Sequence, residues 1–253
     1  MGCVKMASVM ANITEIFSSL QGEGPHTGEP MTFVRFAGCA LNCRWCDTEA
    51  AIKTDPTCRV ETPPRSARFV EIQNPVSIKE LNGQLAFFTD PAISITGGEP
   101  LEQVSFLEKW LPTVPEGKRI LLETNGILHR ELDLISKRID IVSMDIKLPS
   151  STGKRPCWDE HAKFISDSLR SGKEFYIKIV ITSDTSTKDI QEAIKLISSS
   201  NRFIPVILQP ASFTPRFTQG ISSDAVESFA RLCNSWLPNV TIMKQAHKEL
   251  GIL

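Results

Sequence analysis

Three cysteines crowd into one short stretch, Cys39, Cys43 and Cys46 in the spacing CxxxCxxC, and no fourth cysteine stands close enough to complete a four-thiolate site. A structural zinc site fills all four tetrahedral positions with protein ligands, whereas a site meant to take a substrate or cofactor keeps one open. Thiolates select iron–sulfur clusters, zinc or Cu(I). Three of them would hold three irons of a [4Fe–4S] cube and leave one iron free for a second ligand. The alternative is a zinc knuckle that borrows a distant His or Cys. The other four cysteines, Cys3, Cys58, Cys157 and Cys233, are scattered and read as small buried hydrophobes or surface thiols rather than a disulfide framework.

With 253 residues, 41% of them hydrophobic, the chain is able to bury a sizeable core. Lys+Arg 28 against Asp+Glu 29 leaves a formal net charge of −1, so no global basic surface invites nucleic acid or an anionic membrane. No apolar run reaches the length of a membrane span, and the N-terminus lacks an apolar signal core. A small-molecule substrate and a reducing, cytoplasmic setting are expected.

Residues 1–12 read as a leader and 13–253 as one domain. Ile13–Phe17 alternates as a strand, followed by a loop through Gln21-Gly22-Glu23-Gly24, which by itself is an ordinary glycine turn. Phe33–Phe36 is a strand running into the cysteines. Arg35 inside it is a charge in an apolar run, costly unless it faces solvent or serves a site. Thr48 would serve as an N-cap or loop hydroxyl. Residues 49–76, Pro-rich and aperiodic, read as a loop insertion with a short strand near 68–72. Beyond it strands and helices alternate: helix over 77–88, strand 92–96, helix 101–111, strand 118–123, helix 128–138, strand 139–147, helix 158–171, strand 175–182, helix 188–199, strand 203–208 and helix 224–236. About six βα units result, enough for a partial barrel and short of a closed one. Gly97-Gly98 punctuates a strand end where missing Cβ atoms let backbone approach a ligand. Asp145 and Lys147 share one face at a strand's C-terminal end, where barrels of this kind place their sites.

The triad, with Trp45 before its last cysteine, and Gly97-Gly98-Glu99 after the next strand resemble the radical S-adenosylmethionine (SAM) enzymes. The flanks Leu20-Gln21-Gly22-Glu23-Gly24, Arg35 and Asp47-Thr48 resemble the ring-contracting branch that makes 7-deazapurines for queuosine. The resemblance implies an α/β fold, a partial (βα)6 TIM-like barrel. It also implies a [4Fe–4S] cluster on Cys39, Cys43 and Cys46, whose free iron takes SAM and whose electron cleaves it to a radical. SAM would be met by Trp45, Cys46, Asp47, Gly98, Glu99, Asp145, Ile146, Lys147, Gln209, Pro210, Ala211 and Ser212. Leu20, Gln21, Gly22, Glu23, Arg35, Thr96, His247 and the terminal Leu253 would meet a carboxylated pterin, and Thr48 would hold Mg²⁺. Ala211-Ser212 departs from the commoner Met-Asp of that branch. The implied reaction turns 6-carboxy-5,6,7,8-tetrahydropterin into 7-carboxy-7-deazaguanine and ammonia, with flavodoxin or ferredoxin as electron donor and a homodimer as assembly. The rivals are another radical SAM enzyme, such as a glycyl-radical activase, and a non-enzymatic zinc module.

Overall fold

The computed structural model describes residues 9–246 and 251. Its strands are β1 (Met10–Ala11), β2 (Ile13–Leu20), β3 (Pro30–Phe36), β4 (Thr57–Glu61), β5 (Phe69–Gln73), β6 (Val76–Ser77), β7 (Ala92–Gly97), β8 (Arg119–Thr124), β9 (Ile141–Asp145), β10 (Glu174–Ile181), β11 (Val206–Pro210) and β12 (Val240–Ile242). The helices are α1 (Ile78–Leu85), α2 (Val104–Trp110), α3 (His129–Ile135), α4 (Pro149–Thr152), α5 (Trp158–Ser171), α6 (Thr187–Asn201) and α7 (Ser223–Asn234). Ten strands form one sheet in the order β12-β11-β10-β9-β8-β7-β3-β2-β4-β5. The run from β3 through β7 to β12 is parallel throughout, and a helix lies between each strand of that run and the next. Parallel neighbours require such crossovers, and the sequential order with two free edges is that of a barrel left open, a (βα)6 unit with an added strand.

Alternation along the strands builds two different faces. One face carries Val34 and Phe36, Ile93 and Ile95, Ile120 and Leu122, Val142 and Met144, Ile177 and Ile179, and Val206 and Leu208, all in the large core with helix residues such as Phe106, Trp110, Phe164 and Ile194. The other face begins apolar, with Phe33, Ala92, Leu121, Ile141, Tyr176 and Ile207 gathered in a smaller core. Two residues further along those same strands stand Arg35, Ser94, Glu123, Ser143, Lys178 and Gln209. The inner face is therefore plugged at the strands' N-terminal ends and polar toward their C-terminal ends.

Three expectations need correction. The loop expected after Phe17 begins later, because β2 runs on to Leu20, paired with β3. Residues 49–76 hold the short strand expected near 68–72, as β5, but also β4, which was expected to be loop: β4 joins β2 in parallel and β5 returns antiparallel to β4, with Cys58 and Val60 buried and Arg59 exposed between them. Residues 10 and 11, placed in a leader, form β1 and pair with β6; residues 1–8 lie outside the described residues.

Helix α1 is capped by a reciprocal Ser77–Glu80 box, yet carries Gly83 in its interior. A Cβ built there meets nothing within 4 Å. Gly83→Ala is expected to stabilise the protein by about 0.5–1 kcal/mol through lost unfolded-chain entropy, read as a rise in denaturation midpoint.

Candidate functional site

The C-terminal ends of the strands open on a cleft that encloses about 1290 Å³ of space, the solvent at its mouth included. Cys39, Cys43 and Cys46 line it, together with Leu20, Gln21, Gly22, Glu23, Arg35, Trp45, Asp47, Thr48, Thr96, Gly98, Asp145, Lys147, Gln209, Ala211 and Ser212. Most of the residues expected around cofactor and substrate are thus brought together by the fold.

The cysteine loop is fixed by backbone hydrogen bonds. Gly38 N–H donates to Ala51 O at 2.8 Å, Glu99 N–H to Gly38 O at 2.7 Å and Arg44 N–H to Thr152 O at 3.2 Å. Gly38, at φ +103°, makes a turn out of β3 that an L side chain rarely adopts. Cys43 is buried, and that burial pushes its thiol up to about 11 against the pull of the Lys147 ammonium; burial also raises Cys46. Loading metal must therefore expel protons. Among the described residues no three His, Cys, Asp or Glu side chains converge to hold a single metal ion. A cubane takes one thiolate on each of three irons and needs no such convergence.

Beside the triad, Lys147 Nζ lies 4.6 Å from the Trp45 ring centroid and 2.7 Å from Asp145 Oδ2. Burial works against the Lys147 charge, but Asp145 and Cys43 outweigh it and hold the pKa above the ordinary lysine value. Trp45 Nε1, Asp145 Oδ1 and Gln209 Oε1 are buried without a protein partner. Buried polar atoms are rarely left so. Together they offer one donor and two acceptors toward a polar ligand, a set that fits a cofactor bearing amino, carboxylate and ribose groups next to three thiolates.

The opposite wall starts from Arg35, whose Nε donates to Glu15 Oε1 at 2.9 Å from the neighbouring strand. The Arg35 guanidinium carbon is 5.5 Å from the Phe17 ring centroid, and Phe17 stacks on Phe33 with centroids 5.0 Å apart. Gln21 accepts Glu23 N–H and donates Nε2–H to Glu123 Oε1 at 2.9 Å. Glu123 also accepts from Ser94 and Thr96 hydroxyls at 3.2 and 3.0 Å. Thr48 donates its hydroxyl to Asp47 Oδ1 at 3.1 Å.

Three expected contacts do not reach the cleft with their side chains. Glu99 is fully buried; its carboxylate accepts from Thr124 Oγ1 at 2.8 Å, Asn125 N–H at 2.7 Å and Leu101 N–H at 3.1 Å. Burial, opposed by those bonds, pushes it up to about 7. Ile146 belongs to the large core, as the residue between two inward ones must. Pro210, the last residue of β11, is also absent from the lining. His247 and Leu253 lie outside the described residues. Conversely, Phe17, Phe33, Glu123, Thr124, Asn125, Lys178 and Gln245 line the cleft without having been singled out as contacts. Lys178 stood in an apolar run, the signal that drew attention to Arg35.

His161, fully buried in α5, supports the Asp145–Lys147 strand end. Its Nδ1 is 3.0 Å from Gly126 O, and its Nε2 accepts Lys147 N–H at 3.1 Å. That pairing defines a neutral ring with the proton on Nδ1. Burial lowers the folded pKa from 6.5 to about 4. Between those values the unfolded chain binds the extra proton, so this contribution is complete above pH 6.5 and is lost as pH falls toward 4. At pH 5 the loss is about 2 kcal/mol. Denaturation of His161→Gln at pH 7 and pH 5 is expected to show a correspondingly flatter acid limb.

Residues 33–200 match the family model of the Radical SAM superfamily. The 7-carboxy-7-deazaguanine synthase of Geobacter sulfurreducens is 37% identical, over 98% of this chain and 100% of that one. The enzyme of the same name from Methanopyrus kandleri is 33% identical over 96% and 94%. Among solved structures, QueE from Escherichia coli superposes with a TM-score of 0.58 at 22% identity, covering 94% of this chain and 95% of that one. A radical SAM methyltransferase from Sphaerobacter thermophilus reaches 0.59 at 14% identity, over 91% and 77%; both likenesses concern the fold. By sequence over nearly its whole length and by fold, the chain belongs to the radical SAM superfamily and, within it, to the 7-carboxy-7-deazaguanine synthases.

Proposed function

We propose that the chain converts 6-carboxy-5,6,7,8-tetrahydropterin to 7-carboxy-7-deazaguanine and ammonia in 7-deazapurine (queuosine) biosynthesis. The observation that carries this is the union in one cleft of the three cysteines with Gln21, Arg35 and Thr96. When bound, a [4Fe–4S] cluster on Cys39, Cys43 and Cys46 together with SAM supplies the one-electron chemistry that removes a hydrogen atom from the pterin and returns it.

The chain's own residues position and select. Arg35 suits the substrate carboxylate as a planar, permanently charged fork, and Glu15 orients it by taking the Nε edge. The stacked Phe17 and Phe33 give an apolar floor beside it. Gln21, its amide oriented by Glu23 N–H and Glu123, presents to the pyrimidine edge, with Glu123 and Thr96 alongside. Trp45, Asp145, Lys147 and Gln209 take SAM, and the unpartnered Trp45 Nε1, Asp145 Oδ1 and Gln209 Oε1 support that assignment. Thr48 holds Mg²⁺, a hard cation on oxygen ligands that neutralises the substrate carboxylate.

The reading includes a cytoplasmic setting, where thiols stay reduced, a flavodoxin or ferredoxin as electron donor, and a homodimer, which light scattering on the purified protein checks. Anaerobic reconstitution with iron and sulfide, then assay with SAM, dithionite, Mg²⁺ and the pterin, is expected to yield 7-carboxy-7-deazaguanine. Cleavage of SAM with the pterin untouched would remove the substrate assignment while leaving the cofactor assignment standing.

A further inference from the structure

Along the cleft lies a buried polar hub whose lysine, Lys178, has no role in the reading so far. Lys178, from the middle of β10, is paired with Glu23 Oε2. The other oxygen of Glu23 accepts from two amides, Gln209 Nε2 at 3.1 Å and Gln245 Nε2 at 2.6 Å. The same Gln245 Nε2 donates to Asp47 Oδ2 at 2.7 Å, and Ser212 Oγ donates to Gln245 Oε1. Ala246 N–H closes the arrangement on Gly22 O at 2.9 Å. Lys178, Glu23, Gln209 and Gln245 are each less than a tenth exposed.

One carboxylate thus joins four parts of the chain: the Gln21–Gly24 loop, β10, β11 and the segment after β12. Through Gln245 it also reaches the residue following the last cysteine. Glu23 offers about four acceptor positions, and three are occupied by protein, so its carboxylate acts chiefly as an anchor. The anchor depends on a cation. Glu23, Glu123 and Asp145 all act electrostatically on Lys178; Lys147 answers Asp145, and Lys178 is the ammonium that touches Glu23. Removing one partner of a buried pair leaves an uncompensated charge.

We infer that Lys178 is a positioning residue for the substrate site: its ammonium holds the Glu23 carboxylate in place, and through Glu23 and Gln245 it seats the segment after β12 against the Gln21–Gly24 loop and Asp47. The kinetic part of its test rests on the pterin reading; the part that follows backbone opening does not.

Hydrogen exchange of the substrate-free full chain is compared for wild type, Lys178→Met and Lys178→Met/Glu23→Gln. The single variant is expected to exchange at least tenfold faster at residues 22–23 and 243–246 while β7, β8 and β9 stay unchanged. Its KM for the pterin should rise tenfold or more with kcat within threefold. In the double variant a neutral amide oxygen again accepts from Gln209 and Gln245 without needing a cation, so protection should return to within threefold of wild type. Gln245→Glu, which sets a new carboxylate against Glu23 and Asp47, should loosen the same residues with Lys178 in place; it carries the test if Lys178→Met fails to fold. Unchanged exchange in Lys178→Met, equal loosening in single and double variants, or wild-type protection in Gln245→Glu would each overturn the inference. A wild type that leaves the pterin untouched would strike the functional reading and leave the exchange result intact.

Discussion

Cys43→Ala is expected to leave a folded protein that retains no intact cluster after anaerobic reconstitution and forms no detectable product. The thiol is 6% exposed, so deleting one sulfur costs about 1 kcal/mol of packing. Its chemical consequence is far larger, because two thiolates leave two irons of a cubane without protein ligands where the family chemistry tolerates one. Cys58 and Cys233 give the internal comparison. Both are fully buried among apolar residues, away from the cleft, and burial holds each thiol at about 12. Cys58→Ala and Cys233→Ala should lose stability of about the same size while keeping iron, acid-labile sulfide and turnover. Iron and sulfide analysis beside the product assay separates the two classes. Full iron loading and turnover in Cys43→Ala would remove the triad from the chemistry.

That contrast was legible before any coordinates, since spacing alone set Cys39, Cys43 and Cys46 apart from the scattered cysteines. Strand–helix alternation likewise announced the parallel sheet, because period-2 and period-3.6 patterns are local properties of the chain. Charges in strands were half legible. Arg35 and Lys178 both interrupt apolar runs, and the cost of burying an unpaired charge applies to each, but only Arg35 stood next to the cysteines in sequence. Lys178 meets Glu23 across 155 positions, a separation at which no local pattern operates. Ile146 could have been set aside from the same alternation that grouped Asp145 with Lys147. Glu99 could not: whether a carboxylate at a strand end turns to a ligand or back to Thr124 and Asn125 depends on the neighbouring strand's end, which periodicity does not fix. Strand β4, between β2 and β5, escaped because its apolar content is Cys58 and Val60 alone, between prolines.

Gly98→Ala carries the other large expectation, and it tests how β7 holds the cysteine loop. A Cβ at position 98 would lie 2.1 Å from Gly38 O and 2.5 Å from Ala51 O. Both obstacles are backbone, so no rotamer change relieves them, and both are committed: Gly38 O accepts Glu99 N–H, and Ala51 O accepts Gly38 N–H. Making room means parting the root of the cysteine loop from β7 by about an ångström and stretching those bonds, a cost of roughly 3–5 kcal/mol. In a chain of this size that lowers Tm by about 6–20 °C. SAM binding to the reconstituted protein should weaken with it, since Cys39 follows Gly38 directly. Gly117→Ala is the control. Gly117, unlike Gly98, has a positive φ, +90°, but its Cβ would meet nothing within 4 Å, so left-handed strain of about 1–2 kcal/mol is the whole cost, and SAM binding should be untouched. A Gly98→Ala protein that melts with wild type and binds SAM normally would mean that the contact between β7 and the loop is not what holds the cysteines in place. A loss confined to Gly98→Ala would tie the glycine pair to packing of the loop, a role that precedes any contact with the cofactor.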